Sequence, residues 1–278
     1  MIKNPLFLSG IHKICKKFDL YLVDLWGVVH DGIKCNAEAL KTLKILKKTS
    51  KIILISNAPR PNFIVKKFLI KMNFNKKYYH SLITSGDVTR NFLRANYKNK
   101  KIYHLGATKD NVLFKGLKIK KVSIEHADIV VCTGLASYDN LKKYNSVLKK
   151  IKKKKLLMIC ANPDLTVNRG NKLEFCAGSI AKMYKKMGGN VKYFGKPYKN
   201  FYDYCFSMIN KNVKKSRTLI IGDNLDTDIL GANTMKINNL FIWGGVHKAE
   251  IEKKNLGEFI INKNKYFPIN FFQKELIW

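Results

Sequence analysis

Three polar residues with chemical potential each follow a short apolar run. They are Asp24 after Tyr21-Leu-Val23, Ser56 after Ile52-Ile-Leu-Ile55, and Asp223 after Thr218-Leu-Ile-Ile221-Gly222. Such an aspartate can attack phosphorus or bind a divalent cation, and a serine hydroxyl with free backbone N–H groups suits an anionic oxygen. Each residue alone has a structural alternative, because aspartate often ends a strand in a turn and serine often caps a helix.

The strongest local signal is the acidic segment Gly222-Asp223-Asn224-Leu225-Asp226-Thr227-Asp228-Ile229. Its three carboxylates lie within six residues, directly after an apolar run. Gathering this much negative charge is unfavourable unless a cation relieves the repulsion. Helix capping accounts for one of the three, Asp226, but not for all of them. The segment therefore predicts a divalent metal site.

A lysine stands between two conformationally special residues in Gly195-Lys196-Pro197. Because the backbone fixes its position, Lys196 could neutralise both a nucleophilic carboxylate and a bound phosphate. As an isolated tripeptide this signal is weak, since lysine occurs throughout the chain.

The elements that must position these residues alternate between strand and helix. Helical patterns cover residues 37–48, 63–72 and 141–151, between the apolar runs. This alternation predicts an α/β fold with an open, doubly wound parallel sheet. Ligands of such sheets bind beyond the carboxyl ends of the strands, where Asp24, Ser56 and Asp223 are expected.

A second set of strand and helix patterns occupies the middle of the chain. Its apolar runs are residues 101–105, 129–132 and 156–161, the last of them before Asn162-Pro163-Asp164. We expect an inserted α/β domain at residues 84–190, and a core domain formed by residues 1–83 and 191–278.

The chain is strongly basic, with 53 Lys+Arg against 19 Asp+Glu and a formal charge of +34. The lysines are spread along the whole sequence, which favours solvated faces over a dedicated nucleic-acid surface. A positive field should still attract anionic substrates such as phosphate esters. An RNA-associated protein remains a third hypothesis, motivated by charge alone.

Other features concern the environment of the protein. The six cysteines are scattered without a CxxC pair, which favours neither zinc nor disulfides and suits a reducing cytoplasm. No apolar run reaches the roughly 18 residues of a membrane span, and we expect no membrane contact. The aromatic tail at 266–278 is expected either to pack onto the core or to form a homo-oligomer contact.

Taken together and in this order, the four segments resemble the motifs of the haloacid dehalogenase superfamily. The large insertion and the segment Ala161-Asn162-Pro163-Asp164-Leu165-Thr166 are similar to its NagD-type branch, which has an α/β cap. The resemblance covers about residues 15 to 247 and implies a Rossmann-like core.

The resemblance also implies roles for individual residues. Asp24 and Lys196 would be catalytic, with Asp24 forming an aspartyl phosphate. Ser56, Asn57 and Lys196 would bind the phosphoryl group. The Mg²⁺ ligands would be Asp24, the backbone carbonyl of Trp26, Asp223 and Asp228. The implied partner is a small phosphorylated metabolite held under the cap.

One position departs from the family pattern. The first motif usually reads Asp-x-Asp-Gly, and its second aspartate is the general acid and base, but here that residue is Trp26. An indole has no acid-base chemistry near neutral pH, which predicts a slow enzyme or one limited to good leaving groups. His30 or Asp31 could donate a proton from a displaced position. Trp26, His30, Arg60 and Asp164 are further candidates for substrate contacts.

These observations lead to two main hypotheses. The first is a Mg²⁺-dependent phosphohydrolase, HAD-type, that acts on a sugar phosphate, nucleotide or similar metabolite. The alternative, favoured by Trp26, is a catalytically weak phosphate-metabolite-binding or regulatory protein on the same fold.

Overall fold

A computed structural model of the protein describes residues 4–136, 140–169, 172–209 and 213–278. The chain divides into two compact units. The first unit comprises Met1–Ser56, Lys66–Ile83 and Lys196–Trp278, and the second comprises Asn57–Val65 and Thr84–Gly195.

The division differs in two places from the boundaries expected at residues 84 and 190. Val191–Tyr193 belongs to the second unit, because it pairs in parallel with the strand Leu157–Cys160. Residues 57–65 also belong to the second unit, where Gly86 N–H donates to the Ala58 carbonyl at 3.0 Å. The hydrophobic pattern has no break at either place, so these two boundaries could not be predicted from the sequence.

The strands of the described residues are, in chain order, β1 (Leu6–Phe7), β2 (Leu20–Asp24), β3 (Lys51–Ser56), β4 (Ser81–Thr84), β5 (Lys101–Leu105), β6 (Lys120–Lys121), β7 (Ile129–Cys132), β8 (Leu157–Cys160), β9 (Thr166–Arg169), β10 (Lys172–Phe175), β11 (Val191–Tyr193), β12 (Thr218–Gly222), β13 (Asn238–Ile242) and β14 (Phe271–Gln273). The α-helices of the same residues are α1 (Ala37–Leu46), α2 (Asn62–Lys71), α3 (Ser85–Asn96), α4 (Asn145–Lys153), α5 (Ala177–Lys186), α6 (Lys199–Ser207), α7 (Leu230–Met235), α8 (Lys248–Glu252) and α9 (Leu256–Asn264).

The sheet of the first unit has the order β1-β14-β13-β12-β2-β3-β4. Its interior strand β2 pairs in parallel with β3 on one side and with β12 on the other. All five residues of β2 are buried, as expected of a strand covered on both faces. The strand order reverses between β12 and β2, which is the switch point where such sheets bind ligands. The predicted doubly wound α/β fold is confirmed.

The second unit has a parallel sheet of its own, with the order β11-β8-β7-β5-β6. Helices α4 and α5 bury apolar residues in the same core as β7 and β8, including Leu148, Ile151 and Ile180. Strands β9 and β10 form a separate antiparallel pair. Helix α3 begins with a capping box, in which Thr84 and Asp87 satisfy each other's backbone N–H groups.

The aromatic tail packs within the first unit. Strand β14 pairs in parallel with both β13 and β1, and Ile269 and Leu276 are buried. Of the two expectations for this tail, packing onto the core is the one that the fold shows. The homo-oligomer contact stays a prediction. None of the helices in the described ranges has the length and apolar character needed to cross a membrane.

Candidate active site

Three buried carboxylates converge in the first unit. Asp24 is the last residue of β2, Asp223 directly follows β12, and Asp228 lies in the π-helical turn Leu225–Ile229. One oxygen of each carboxylate lies within 4.8 Å of the others. The cluster forms here because parallel strands β2 and β12 end side by side at the switch point.

Lys196 is buried among these carboxylates. Its Nζ donates a short hydrogen bond to Asp24 Oδ1 and a second one, of 2.7 Å, to Asp228 Oδ1. One ammonium against three carboxylates leaves two negative charges in a buried space, which is unfavourable without a further cation. A divalent cation has the charge that would complete the balance.

Burial raises the pKa of Asp24 well above its ordinary value. The Lys196 ammonium opposes this shift, while the negative charges of Asp228 and Asp223 add to it. Burial and the two neighbouring carboxylates thus disfavour the ionised form of Asp24, and an additional cation would favour it.

Glycines let the backbone approach the carboxylates closely. A Cβ on Gly27, which has a φ of +79°, would lie 1.9 Å from Asp223 Oδ2, and one on Gly245 would lie 2.1 Å from the same atom. A Cβ on Gly222 would lie 2.0 Å from Asp228 Cγ. The carboxylates therefore pack directly against the main chain at these glycines. Their oxygen atoms are ligands of the kind that Mg²⁺ prefers.

Hydrogen bonds fix the two carboxylates of the acidic segment. The N–H of Val246 donates to Asp223 Oδ2 at 2.7 Å, and that of Asn224 donates to Asp228 Oδ2 at 3.3 Å. Asn224 also caps the turn by accepting from the N–H of Asp226 at 2.9 Å. Asp226 itself is exposed. The capping residue is thus Asn224, whereas the sequence had predicted Asp226 as the cap.

Trp26 packs against its own loop. Its indole lies edge to face with the His30 ring, at 5.0 Å between centroids and 71° between planes. A Cβ on Gly32 would lie 2.5 Å from two carbons of the benzo ring, so only glycine leaves room for it. The indole therefore braces the loop that follows Asp24.

The two candidate proton donors of this loop have structural contacts. Nδ1 of the buried His30 accepts from Gly32 N–H at 3.0 Å, and this bond would be lost if Nδ1 carried a proton. Asp31 Oδ1 accepts from the N–H groups of Ile33 and Lys34, both at 2.8 Å. Although partial burial raises the pKa of Asp31, these bonds outweigh it and lower the pKa overall. Both residues thus make hydrogen bonds that fix the loop, and a role as proton donor stays a prediction.

The remaining candidates divide between the units. Ser56 ends β3 in the first unit, one residue past Ile55, which pairs with Asp24. Asn57 and Asp164 are in the second unit, where Asn57 Nδ2 donates to Asp164 Oδ1 at 2.7 Å. The structure thus joins Asn57 and Asp164, a pair that the sequence did not connect.

Arg60, also in the second unit, faces a carboxylate that sequence reasoning missed. Its Nε lies 3.1 Å from Oδ1 of the buried Asp110. Burial raises the pKa of Asp110, against the opposing effect of the Arg60 charge. Asp110 had no distinguishing pattern, because it belongs to a 3-10 helical segment, Thr108–Phe114, rather than to a strand end.

The loop after β13 was also missed. Gly245 and Val246 contact Asp223, and His247 Nε2 accepts from Leu225 N–H at 3.3 Å. The pair Gly244-Gly245 after an apolar run was a usable turn signal. A contact made by a backbone N–H, as at Val246, leaves no mark on the sequence.

Comparisons with known proteins show the family of this chain. Residues 21–120 match the family model of haloacid dehalogenase-like hydrolases, and residues 193–263 match a HAD-hydrolase-like model. A haloacid dehalogenase-like hydrolase from Brucella suis has a solved structure with 34% identity and a TM-score of 0.82, covering 87% of this chain and 91% of its own.

Two further relatives are informative. A 4-nitrophenylphosphatase of Schizosaccharomyces pombe is 25% identical over 265 residues, covering 84% of this chain and 86% of its own length. The structure of a glycerol phosphate phosphatase from Mycobacterium tuberculosis in complex with magnesium is 21% identical, with a TM-score of 0.72, and the match covers 95% of this chain and 76% of that one. The chain therefore belongs to the haloacid dehalogenase-like hydrolases, the family predicted from its motifs.

Proposed function

We propose that the protein is a Mg²⁺-dependent phosphohydrolase acting on a small phosphorylated metabolite. The observation that carries the proposal is the burial of Lys196 between Asp24 and Asp228 in a cluster of three carboxylates. The phosphatase names of the two relatives described above support the same class of reaction.

Asp24 is the nucleophile of the proposed reaction. Its carboxylate attacks phosphorus, the ester oxygen leaves with its electron pair, and an aspartyl phosphate results. Water then cleaves this intermediate, which restores Asp24 and releases phosphate. Lys196 and the Ser56 hydroxyl hold the oxygens of the phosphoryl group, and the lysine charge offsets the charge that develops on them.

The metal ligands of the proposal are Asp24, Asp223, Asp228 and the backbone carbonyl of Trp26. Bound there, Mg²⁺ would supply positive charge toward the phosphoryl oxygens. The residues of the second unit, Asn57, Arg60 and Asp164, stay predicted phosphate or substrate contacts on the basis of the sequence.

Trp26 narrows the substrate range of the proposed enzyme. Protonation of the leaving group by a general acid typically contributes about 10²- to 10⁴-fold, and the position that the family motif uses for this acid is occupied here by Trp26. Leaving groups that are stable as anions, such as phenolates or carboxylates, need this help least. We therefore expect acyl and aryl phosphates to be cleaved faster than alkyl phosphates.

The same observation favours a second candidate function. With Trp26 braced against Gly32 and His30, the protein could retain metal and phosphate binding but turn over very slowly. It would then act as a phosphate-metabolite-binding or regulatory protein. Calorimetry that detects phosphate-ester binding in Mg²⁺, together with no phosphate release, would favour this function.

The central test compares Asp24→Asn with wild type in a phosphate-release assay with 4-nitrophenyl phosphate and Mg²⁺. Loss of the nucleophile should lower kcat/KM by about 10³-fold or more. The matched control is Asp226→Asn, since Asp226 is an exposed aspartate of the acidic segment. The control should stay within about 2-fold of wild type. Full activity in Asp24→Asn would refute the nucleophile assignment.

A further inference from the structure

The loop Trp243–His247, which follows β13, holds the acidic segment at two points. The N–H of Val246 donates to the Asp223 carboxylate at 2.7 Å. The adjacent His247 accepts, at Nε2, the N–H of Leu225 at 3.3 Å. Val246 thus fixes the carboxylate of Asp223, and the adjacent His247 fixes the backbone of Leu225.

His247 is itself held firmly in the first unit. Its ring lies between Phe241 and Phe259, at 5.9 Å from each ring centroid. Only 15% of its side chain is exposed, and its Nδ1 lies 3.6 Å from Glu250. Burial lowers the pKa of His247, although Glu250 opposes the shift. The neutral ring, with its proton on Nδ1, can therefore accept at Nε2.

The bond to Leu225 acts at the start of the turn that carries Asp228. Leu225 is the first residue of the π-helical turn, and the Asn224 carbonyl accepts from both Asp228 N–H, at 2.9 Å, and Ile229 N–H, at 3.2 Å. The position of the Asp228 backbone depends on these bonds. Fixing Leu225 therefore fixes the direction from which the Asp228 carboxylate enters the cluster.

We propose that His247 is a positioning residue of the metal site, acting through the acidic turn without contacting the ion. This inference rests on the proposed binding of Mg²⁺ by Asp223 and Asp228. Groups that orient metal ligands by hydrogen bonding typically change metal affinity by about 10- to 100-fold when removed. His247 should therefore influence the affinity for the metal more than the chemistry at saturating metal.

The experiment uses calorimetry of the full-length protein with MgCl₂ and with MnCl₂, without substrate. In His247→Ala, the Kd for both ions should rise about 10- to 100-fold. His247→Gln, which keeps an acceptor near the position of Nε2, should restore most of the affinity. In an enzyme assay of His247→Ala, kcat at saturating Mg²⁺ should stay within about 3-fold of the wild-type value.

The control is His80→Ala. His80 also accepts a backbone N–H, that of Ile52 at 3.0 Å, but near the amino end of β3 and away from the carboxylates. An equal rise of Kd in His80→Ala and His247→Ala would overturn the proposal, as would a folded His247→Gln without recovery of affinity. Wild-type protein that binds neither ion would overturn the metal assignment as well, whereas unchanged affinity in His247→Ala would overturn the role of His247 alone.

Discussion

At the scale of residues, the loop from Asp24 to Gly32 is packed around the indole of Trp26. Where the family motif has a second aspartate, the indole of Trp26 rests on Gly32 and against His30. Asp24 keeps its hydrogen bond from Lys196, so the proposed nucleophile and its lysine partner do not depend on the residue at position 26. Trp26 should therefore control the response to the leaving group rather than the formation of the site.

Restoring a carboxyl group at position 26 tests this separation. In Trp26→Asp, kcat/KM for alkyl phosphates should rise by up to about 10²-fold, while aryl phosphates change less. The measurement is kcat/KM for a series of esters against the pKa of their leaving groups, and its slope should become shallower. Trp26→Phe is the control, because it keeps an aromatic ring and adds no acid. An equally steep slope in both variants would show that protonation of the leaving group does not limit the enzyme.

Which site residues the sequence could predict depends on how each is held. Asp24 ends β2, Asp223 directly follows β12, and Asp228 belongs to the acidic segment that Asp223 begins, so hydrophobic pattern and spacing were enough to find them. The structure adds Asp110 and His247, which meet their partners through tertiary contacts between separate segments. No local pattern encodes such contacts, because they depend on how whole elements pack.

At the scale of elements, the carboxyl ends of parallel strands gather polar groups in both units. In the second unit, His104 near the end of β5 bonds Thr133 just after β7, with 2.8 Å from Nε2 to Oγ1. Its Nδ1 lies 3.1 Å from Asn111 Oδ1. The pattern of the strands was predictable from the sequence, whereas this polar link between them was not.

The link predicts a dependence of stability on pH. Burial lowers the pKa of His104 from 6.5 to about 4, so the unfolded chain takes up the proton first as the pH falls. The contribution of the neutral His104 to the free energy of unfolding is therefore complete above pH 6.5. It is lost as the pH falls from 6.5 toward 4. Between pH 7 and 5, wild type should lose on the order of 1 kcal/mol more stability than His104→Gln, allowing for partial solvent screening. Urea unfolding at both pH values checks this, and equal losses in the two proteins would contradict it.

At the scale of the whole molecule, the chain carries a formal charge of +34. The densest lysine run belongs partly to α4, which buries Leu148 and Ile151 and exposes its lysines. This arrangement is typical of a solvated helix face, while the expectation that nucleic acid is not bound stays a prediction. The charge should therefore act on substrates through its long-range field rather than through a specific surface.

The field predicts that salt weakens the capture of substrate. Between ionic strengths of about 0.01 and 0.15 M the screening length shortens from about 30 to 8 Å. Over this range kcat/KM for an anionic ester should fall about 3- to 10-fold, with kcat nearly constant. The measurement is a titration with KCl, with sucrose at equal osmolality as the control. A flat profile in KCl would show that the net charge plays no part in substrate capture.

The position of β12 beside β2 also has a consequence for synthesis of the protein. Tyr21 pairs with Leu219, so the centre of the first sheet closes a loop of about 200 residues, a connection of high contact order. During translation the main segment of the second unit, Thr84–Gly195, leaves the ribosome before β12 does. Until then β2 lacks a neighbour on one edge, and Lys196, Asp223 and Asp228 are the last parts of the acidic centre to arrive. A nascent chain can thus complete the second unit while the carboxylate cluster is still missing most of its members.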